Sequence, residues 1–164
     1  MQRLRSNLVW ILAILPLVGF WSYGLFDLDE GIYAASLREM IERDSWITVT
    51  YGGAPFYEKP ILIYWVARLF LGLGFSDEMA LRLPSVLAAI WTYWMIFSFV
   101  RRRFGAEKAS NAVLVLSLSP LMVVMARMFT PDSLLLFFIT GAFLSFWESI
   151  KRGPRWRWLE EFFL

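Results

Sequence analysis

The sequence predicts an all-α membrane protein, and its composition and charge distribution are the two observations that indicate this class. Apolar residues make up 59% of the 164 residues and charged residues 18%. A soluble domain has roughly 45–50% apolar residues with charges spread over its surface, whereas here long apolar runs separate groups of charges. The chain has no Cys and no His, which excludes disulfides, a thiol nucleophile, a His base and a zinc site built on either residue type.

Four uncharged runs predict four membrane-spanning helices. The first run, Leu8 to Phe26, would extend about 28 Å at helical rise, close to the roughly 30 Å thickness of a hydrocarbon core. It is longer than the core of a cleavable signal peptide and lacks a good small-residue cleavage site, so we expect a retained span. The four spans are predicted at about residues 8–26, 83–100, 109–126 and 131–150.

Basic residues lie on one side of these spans. Residues 101–103, between the second and third spans, are all Arg, and further basic residues precede the first span and follow the fourth. The segment 27–82 instead contains nine acidic and five basic residues. Because basic residues mark the cytoplasmic side, both termini are predicted to be cytoplasmic and the loop 27–82 to be external.

The first part of this outer loop predicts an amphipathic helix followed by an extended segment. Asp29 suits the N-cap of a helix from about Glu30 to Arg43, whose apolar residues recur at helical spacing and form one stripe. Such a helix lies along the membrane surface or packs on the bundle. Residues 46–51 are predicted to be extended, and the Gly-Gly-Ala-Pro sequence at 52–55 predicts a turn.

The later segment Pro60 to Gly74 is apolar but short. It would extend only about 22 Å as a helix, and Arg68 interrupts it. This length favours a re-entrant or interfacial helix over a fifth span, with Tyr64 and Trp65 at the level of the lipid headgroups.

Three short polar islands interrupt the apolar sequence, and all three fall on the predicted outer side. Ionisable groups beside lipid are costly and are therefore functional candidates. Each also has a structural interpretation: Asp29 as a helix cap and Asp132 as a charge that complements a helix dipole. Glu58 and Lys59 would form an exposed ion pair worth roughly 0–1 kcal/mol. The islands are Asp29-Glu30, Glu58-Lys59-Pro60 and Thr130-Pro131-Asp132.

In order and spacing, these islands and their flanking residues resemble ArnT-like glycosyltransferases, members of the polytopic GT-C class that also includes protein O-mannosyltransferases. The resemblance covers roughly residues 8–150 and implies a GT-C-type helical bundle. It implies four transmembrane helices plus amphipathic and re-entrant helices in the first outer loop, with residues 1–164 as the N-terminal part of a single membrane domain. One departure is Ile32, where the aminoarabinose branch commonly has Arg. The matching segments are Asp29-Glu30-Gly31-Ile32-Tyr33-Ala34, Leu37-Arg38-Glu39-Met40, Trp46-Ile47, Phe56-Tyr57-Glu58-Lys59-Pro60, Arg82-Leu83-Pro84-Ser85 and Thr130-Pro131-Asp132.

The resemblance also implies roles for individual residues. Asp29 and Asp132 match the acidic residues of the catalytic centre, and Lys59 matches the cation near the polyprenyl phosphate. Glu30 and Glu58 match supporting or metal-associated positions; a divalent metal is left open and no other cofactor is expected.

The chemistry of these residue types agrees with sugar transfer. A departing lipid phosphate gains negative charge, which a preorganised Lys59 stabilises. Asp29 would accept the proton of a hydroxyl acceptor, or orient the sugar if the acceptor is already a phosphate. Arg127 extends to lipid headgroups or provides a second contact to the donor phosphate.

The implied function is sugar transfer from a polyprenyl-phosphate-linked donor to a lipid (lipid A-like), glycan or protein acceptor. We expect it at the periplasmic face of a bacterial inner membrane, in a multi-pass protein of which this chain is a fragment that is inactive alone. The expected partners are the bilayer, the donor, the acceptor and the remaining transmembrane helices, with no nucleic acid. The alternative is a non-catalytic membrane subunit that binds a lipid phosphate or partner helices. A transporter is disfavoured because the spans contain only Asn111 and scattered Ser and Thr.

Overall fold

The structure, a computed structural model, describes residues 2–25 and 28–152. The predicted boundary between the first span and the outer loop at residues 26–27, and the basic segment beyond residue 152, lie outside the described residues. The described residues form helices joined by short loops, with one small hairpin. The elements are α1 (Gln2–Ile14), α2 (Leu28–Glu42), β1 (Thr50–Tyr51), β2 (Ala54–Pro55), α3 (Leu62–Gly72), α4 (Asp77–Phe104), α5 (Ala106–Ser117), α6 (Pro120–Arg127) and α7 (Asp132–Arg152).

The second and fourth predicted spans are confirmed as long apolar helices. Within the described residues, α4 and the Asp132–Ile150 part of α7 are each long and apolar enough to cross a membrane. Helix α4 begins before the predicted span, because Asp77 and Glu78 complement the dipole of its first turn. Pro84 lies inside α4 and does not end it.

The third predicted span is wrong as a continuous helix. Helices α5 and α6 are bent by 66° and would together form one broken span or a re-entrant loop. Ser119 is extended, with φ −62° and ψ 125°, and Pro120 begins the new helix. Proline disfavours the helical conformation in the residue before it, which explains why the helix breaks here.

The first predicted span, residues 8–26, is also corrected. Helix α1 is followed by a 3-10 turn at Leu15–Leu17, and the helical conformation ends at Val18, where ψ is 140°. Gly19 then has φ +77°, a conformation that favours glycine. The apolar helical part, Leu8–Leu17, is shorter than a span.

The amphipathic helix of the outer loop is confirmed as α2, but the predicted cap is wrong. Asp29 lies within the first turn rather than before it. At the other end, the Ser45 amide donates to the Met40 carbonyl at 3.0 Å and Asp44 has φ 45°, as in a Schellman cap.

The predicted turn lies at Gly52–Gly53 and connects β1 to β2, so that Ala54 and Pro55 belong to the second strand. Both glycines have positive φ, +60° and +81°, as two-residue hairpin turns require. The Glu39 carboxylate of α2 accepts hydrogen bonds from the Thr50 hydroxyl at 2.7 Å and the Gly52 amide at 2.6 Å. The hairpin is therefore connected to α2 by polar contacts.

Helix α3 is a short apolar helix, in agreement with the prediction that Pro60–Gly74 does not form a span. Arg68, which interrupts its sequence, donates to the Ser45 carbonyl at 2.6 Å and the Asp44 carboxylate at 2.7 Å. Its guanidinium also lies 3.9 Å from the ring centre of Trp46. Tyr64 was expected at the headgroups but is fully buried, because its side of α3 packs against α2 and Phe129.

Contacts at the two ends of α4 show that α7 packs antiparallel to it. At one end the Ser85 hydroxyl donates to the Thr130 carbonyl at 3.2 Å. At the other end Arg103 and Glu148 form an ion pair of 2.5 Å. The polar islands therefore gather at one end of the helices, and the 101–103 Arg cluster lies at the opposite end.

Candidate functional site

Three charged side chains at one end of the helices, which we call the open cluster, are Asp29, Lys59 and Asp132, and Tyr33 contacts the first two of them. Tyr33 follows Asp29 by one turn of α2, and its hydroxyl donates to Asp29 Oδ2 at 3.4 Å. The Lys59 ammonium lies 5.4 Å from the centre of the same ring. Sequence analysis assigned Tyr33 only to the apolar stripe of α2, because helical spacing does not indicate which group its hydroxyl contacts.

Electrostatic interactions connect Lys59 to both carboxylates of the open cluster. Interaction with the Tyr33 hydroxyl raises the pKa of Lys59 above its ordinary value, and the charges of Asp29 and Asp132 raise it further, while burial opposes them. Lys59 is therefore a cation at neutral pH. Lys59 thus lies within electrostatic range of two carboxylates that are distant from it in sequence.

The open cluster is accessible from outside the protein. Asp29 and Asp132 are exposed and Lys59 is half-buried. Asp29 lies in the first turn of α2 and Asp132 in the first turn of α7, so each stands at the N-terminal end of a helix. Glu58 is also exposed, immediately before Lys59. The site can thus offer one cation and several acceptors to a ligand.

A second cluster lies beneath the first and is fully buried. We call Glu30, Arg82 and Ser85 the buried cluster. The side chains of Glu30 and Arg82 have 0% exposure and form a two-pronged ion pair, with Arg82 Nε to Oε1 at 2.7 Å and Nη2 to Oε2 at 2.8 Å. Glu30 Oε1 also accepts the Phe129 amide at 2.9 Å.

Arg82 also bonds the segment that precedes α2. Its Nη1 donates to the Phe20 carbonyl at 3.0 Å and the Tyr23 carbonyl at 2.7 Å, and its Nη2 donates to the Gly24 carbonyl at 2.7 Å. The five N–H donors of the guanidinium are therefore all used. Glu30 was predicted as a supporting or metal-associated residue, and the structure places it in an ion pair. Arg82 was not predicted as a site residue, although an Arg beside an apolar run is the signal that could have identified it.

Arg127, the last residue of α6, contacts the region where the first helix ends. Its guanidinium donates to the Pro16 carbonyl at 3.0 Å and the Gly19 carbonyl at 3.5 Å. The Tyr23 hydroxyl donates to the Arg127 carbonyl at 2.8 Å. Arg127 thus holds the end of the first helix.

The charges of the open cluster suit a phosphate-containing ligand. Within residues 2–25 and 28–152, no three acidic side chains lie close enough to suggest a metal site. The ammonium of Lys59 can interact with a phosphate, and a carboxylate beside it can accept a proton or bind sugar hydroxyls.

Comparison with known proteins identifies the family. The model of the family described as dolichyl-phosphate-mannose-protein mannosyltransferase matches residues 58–164. An undecaprenyl phosphate-alpha-4-amino-4-deoxy-L-arabinose arabinosyl transferase of Edwardsiella ictaluri is 33% identical over 75% of this chain and 22% of its own length. A similarly named transferase of Sodalis glossinidius is 25% identical over 92% of this chain and 28% of its own length.

Two solved structures of one protein are also similar to this chain. ArnT from Cupriavidus metallidurans bound to undecaprenyl phosphate matches 87% of this chain with a TM-score of 0.73 and 27% identity. The same protein in the apo state matches with a TM-score of 0.70. The chain spans about a quarter of that protein, 26% of its length.

Proposed function

The chain belongs to the dolichyl-phosphate-mannose-protein mannosyltransferase family, and on this basis we propose that it is part of the sugar-transfer site of a polytopic membrane glycosyltransferase. The complete protein would transfer a sugar from a polyprenyl-phosphate-linked donor to a lipid, glycan or protein acceptor. The reaction would take place at the outer face of a bacterial inner membrane, with both ends of this segment cytoplasmic. Residues 1–164 would form the N-terminal part of one membrane domain.

The single observation that supports this proposal most strongly is the position of Lys59, whose charge interacts with both Asp29 and Asp132. When the sugar–phosphate bond breaks, negative charge increases on the departing lipid phosphate. A preorganised cation stabilises that charge in the transition state, usually the largest contribution to catalysis. Lys59 would therefore contact the donor phosphate.

The two carboxylates would act on the sugar and the acceptor. Asp29 is exposed, and the hydrogen bond that it accepts from Tyr33, the one it makes within the described part of the chain, is long at 3.4 Å, which leaves acceptor capacity for a ligand. For a hydroxyl acceptor Asp29 would remove the proton during attack, and Asp132 would bind the sugar or acceptor hydroxyls. Glu58 would support Lys59 or contribute to binding a divalent metal.

The donor would be a polyprenyl-phosphate sugar, as the names of the arabinosyl transferase relatives suggest. Two of the five N–H donors of Arg127 bind the Pro16 and Gly19 carbonyls, so the remaining donors would make Arg127 a secondary phosphate contact. Lys59, whose charge interacts with both Asp29 and Asp132, is the stronger candidate for the main phosphate contact.

The proposal is tested in the full-length protein that contains this segment, in membranes supplied with a polyprenyl-phosphate sugar. Asp29→Asn keeps the size and the helix-end preference of the side chain, so a loss of about 10²-fold or more in transfer identifies a catalytic carboxylate. Lys59→Ala should weaken both donor binding and turnover. Glu42→Gln, an exposed acid at the far end of α2, is the matched control.

Two outcomes would overturn the proposal. Normal transfer by both Asp29→Asn and Lys59→Ala, at equal protein levels, would reject the site assignment. Donor binding by the wild-type protein without any transfer would favour a non-catalytic membrane subunit that binds a lipid phosphate.

A further inference from the structure

We propose that the buried cluster of Glu30, Arg82 and Ser85 sets the relative positions of Asp29 and Asp132. The three members of the buried cluster are then positioning residues of the transfer site. This inference rests on the proposed function for its catalytic consequence. Its geometric part concerns the packing of α2 against the loop before α7 and can be tested separately.

The first step of the argument is the sequence of α2. Glu30 directly follows Asp29, and successive helical side chains point about 100° apart. One of the two is exposed and the other has no exposed surface. Because both belong to one rigid turn, the bonds that hold Glu30 also fix the direction of Asp29.

The second step is the loop between α6 and α7. Glu30 accepts the amide of Phe129 at 2.9 Å, and Ser85 donates to the carbonyl of Thr130 at 3.2 Å. These bonds hold two adjacent residues of the loop that leads into Asp132. The same carboxylate that fixes Asp29 therefore also holds the chain that carries Asp132.

The third step is the choice of Arg at position 82. The planar guanidinium of Arg82 donates to both carboxylate oxygens of Glu30. Its remaining N–H groups donate to the carbonyls of Phe20, Tyr23 and Gly24. Lys provides a single ammonium with three donors and cannot reproduce this arrangement. Arg82 of α4 thus bonds α2 and the segment that follows the first helical region, and Glu30 and Ser85 add the α6–α7 loop.

Lys59 is connected differently. It lies in the loop between β2 and α3, outside α2 and α7, and its ammonium contacts the ring of Tyr33. Disturbing the buried cluster should therefore misplace the two carboxylates while the contact to the donor phosphate persists. In kinetic terms kcat falls while the KM for the donor is nearly unchanged.

The kinetic experiment uses Glu30→Gln and Arg82→Lys in the full-length protein reconstituted in lipid. We expect kcat to fall by about 10- to 100-fold, the effect of a misplacement of about 1 Å. The donor KM should change by less than about 3-fold, unlike in Lys59→Ala, where both parameters change. The controls are Glu42→Gln and Arg38→Lys, which alter an exposed ion pair on the same helix.

The geometric experiment measures the distance between spin labels placed at Arg38 of α2 and Leu135 of α7, both exposed positions. Residues 1–164 contain no native Cys to interfere with labelling. The distance distribution should broaden in Glu30→Gln and remain narrow in Glu42→Gln. If Glu30→Gln fails to accumulate, Ser85→Ala, which removes only one hydroxyl bond, provides the same test.

The outcomes separate the two proposals. An unchanged distance distribution, or a rise in KM with unchanged kcat, would overturn the positioning role. Absence of transfer by the wild-type protein would reject the proposed function, while the spin-label distances would still decide whether the buried cluster holds α2 against the loop before α7.

Discussion

The open cluster and the buried cluster contain adjacent residues of α2, but the charges of one are accessible whereas the charges of the other are buried and fully hydrogen-bonded. In the buried cluster, all five N–H donors of Arg82 make hydrogen bonds. Glu30 accepts two hydrogen bonds from this guanidinium and one from the Phe129 amide. In the open cluster, Asp29 and Asp132 are exposed and Lys59 is only half-buried. Charges that are fully bonded inside the protein hold its segments together, whereas accessible charges can bind a ligand. The difference predicts that changes in the buried cluster lower stability as well as activity, whereas changes in the open cluster lower activity alone.

The largest effect is expected for Arg82→Ala. Removing one partner of a buried ion pair leaves the other charge uncompensated and typically costs about 3–5 kcal/mol. The variant should unfold at a much lower denaturant concentration than the wild type in detergent. Arg38→Ala, which breaks an exposed i,i+4 pair, is the control and should cost roughly 0–1 kcal/mol. Equal losses of unfolding free energy in the two variants would show that the buried ion pair contributes no more to stability than the exposed one.

The second prediction concerns Lys59→Arg, which keeps the charge of the open cluster but changes its shape and reach. Transfer should fall by about 10-fold, less than in Lys59→Ala, because a cation near the phosphate is retained. The melting temperature should remain that of the wild type, since Lys59 is not part of the buried cluster. A large drop in melting temperature with normal transfer would show that Lys59 is a structural residue.

A smaller, local effect is expected for Glu39→Gln. The Glu39 carboxylate holds the hairpin through Thr50, Gly52 and Gly53, and the Thr50 hydroxyl is the main cause that lowers the pKa of Glu39. An uncharged amide would bond these groups less strongly. The amides of Gly52 and Gly53 should exchange hydrogen faster, while those in the middle of α4 keep wild-type rates. Unchanged exchange at the turn would contradict the role of Glu39.

The smallest effect should appear at alkaline pH. The pKa of Lys59 is raised in the folded protein, so its charge contributes to stability below the unfolded pKa, and this contribution disappears as the pH rises through the folded value. The difference in melting temperature between the wild type and Lys59→Met should therefore shrink as the pH rises above about 10.4, the ordinary pKa of a lysine. A melting-temperature difference that grows with rising pH would contradict the favourable interaction of Lys59 with Asp29 and Asp132.

Sequence patterns predicted those features that depend on averages over many residues. Apolar runs identified α4 and α7, and the sign of the charges separated the end with the polar islands from the end with the Arg cluster. The break at Ser119–Pro120 and the early end of the first helix depend on single residues within runs that are apolar on average. A proline is tolerated inside α4 at Pro84 but begins a new helix at Pro120, so local packing decides between the two outcomes.

The candidate site was predictable only in part. The order of the polar islands suggested that Asp29, Lys59 and Asp132 lie on one side, and the electrostatic contacts of Lys59 agree with that expectation. The partner of Glu30 could not be deduced, because an ion pair between residues 52 positions apart depends on how α2 packs against α4. The sequence therefore indicated which charges are present, and only the fold distinguished accessible from enclosed ones.

The ion pair between Arg103 and Glu148 has a consequence for biosynthesis. Glu148 is nearly enclosed in the finished protein, with 6% exposure, and its partner lies at the end of α4. During translation α4 emerges well before the end of α7, so Arg103 and Glu148 can neutralise each other only after both helices have been made. Entry of α7 into the bilayer would then depend on α4 remaining nearby, and the two helices would assemble as a pair rather than one at a time.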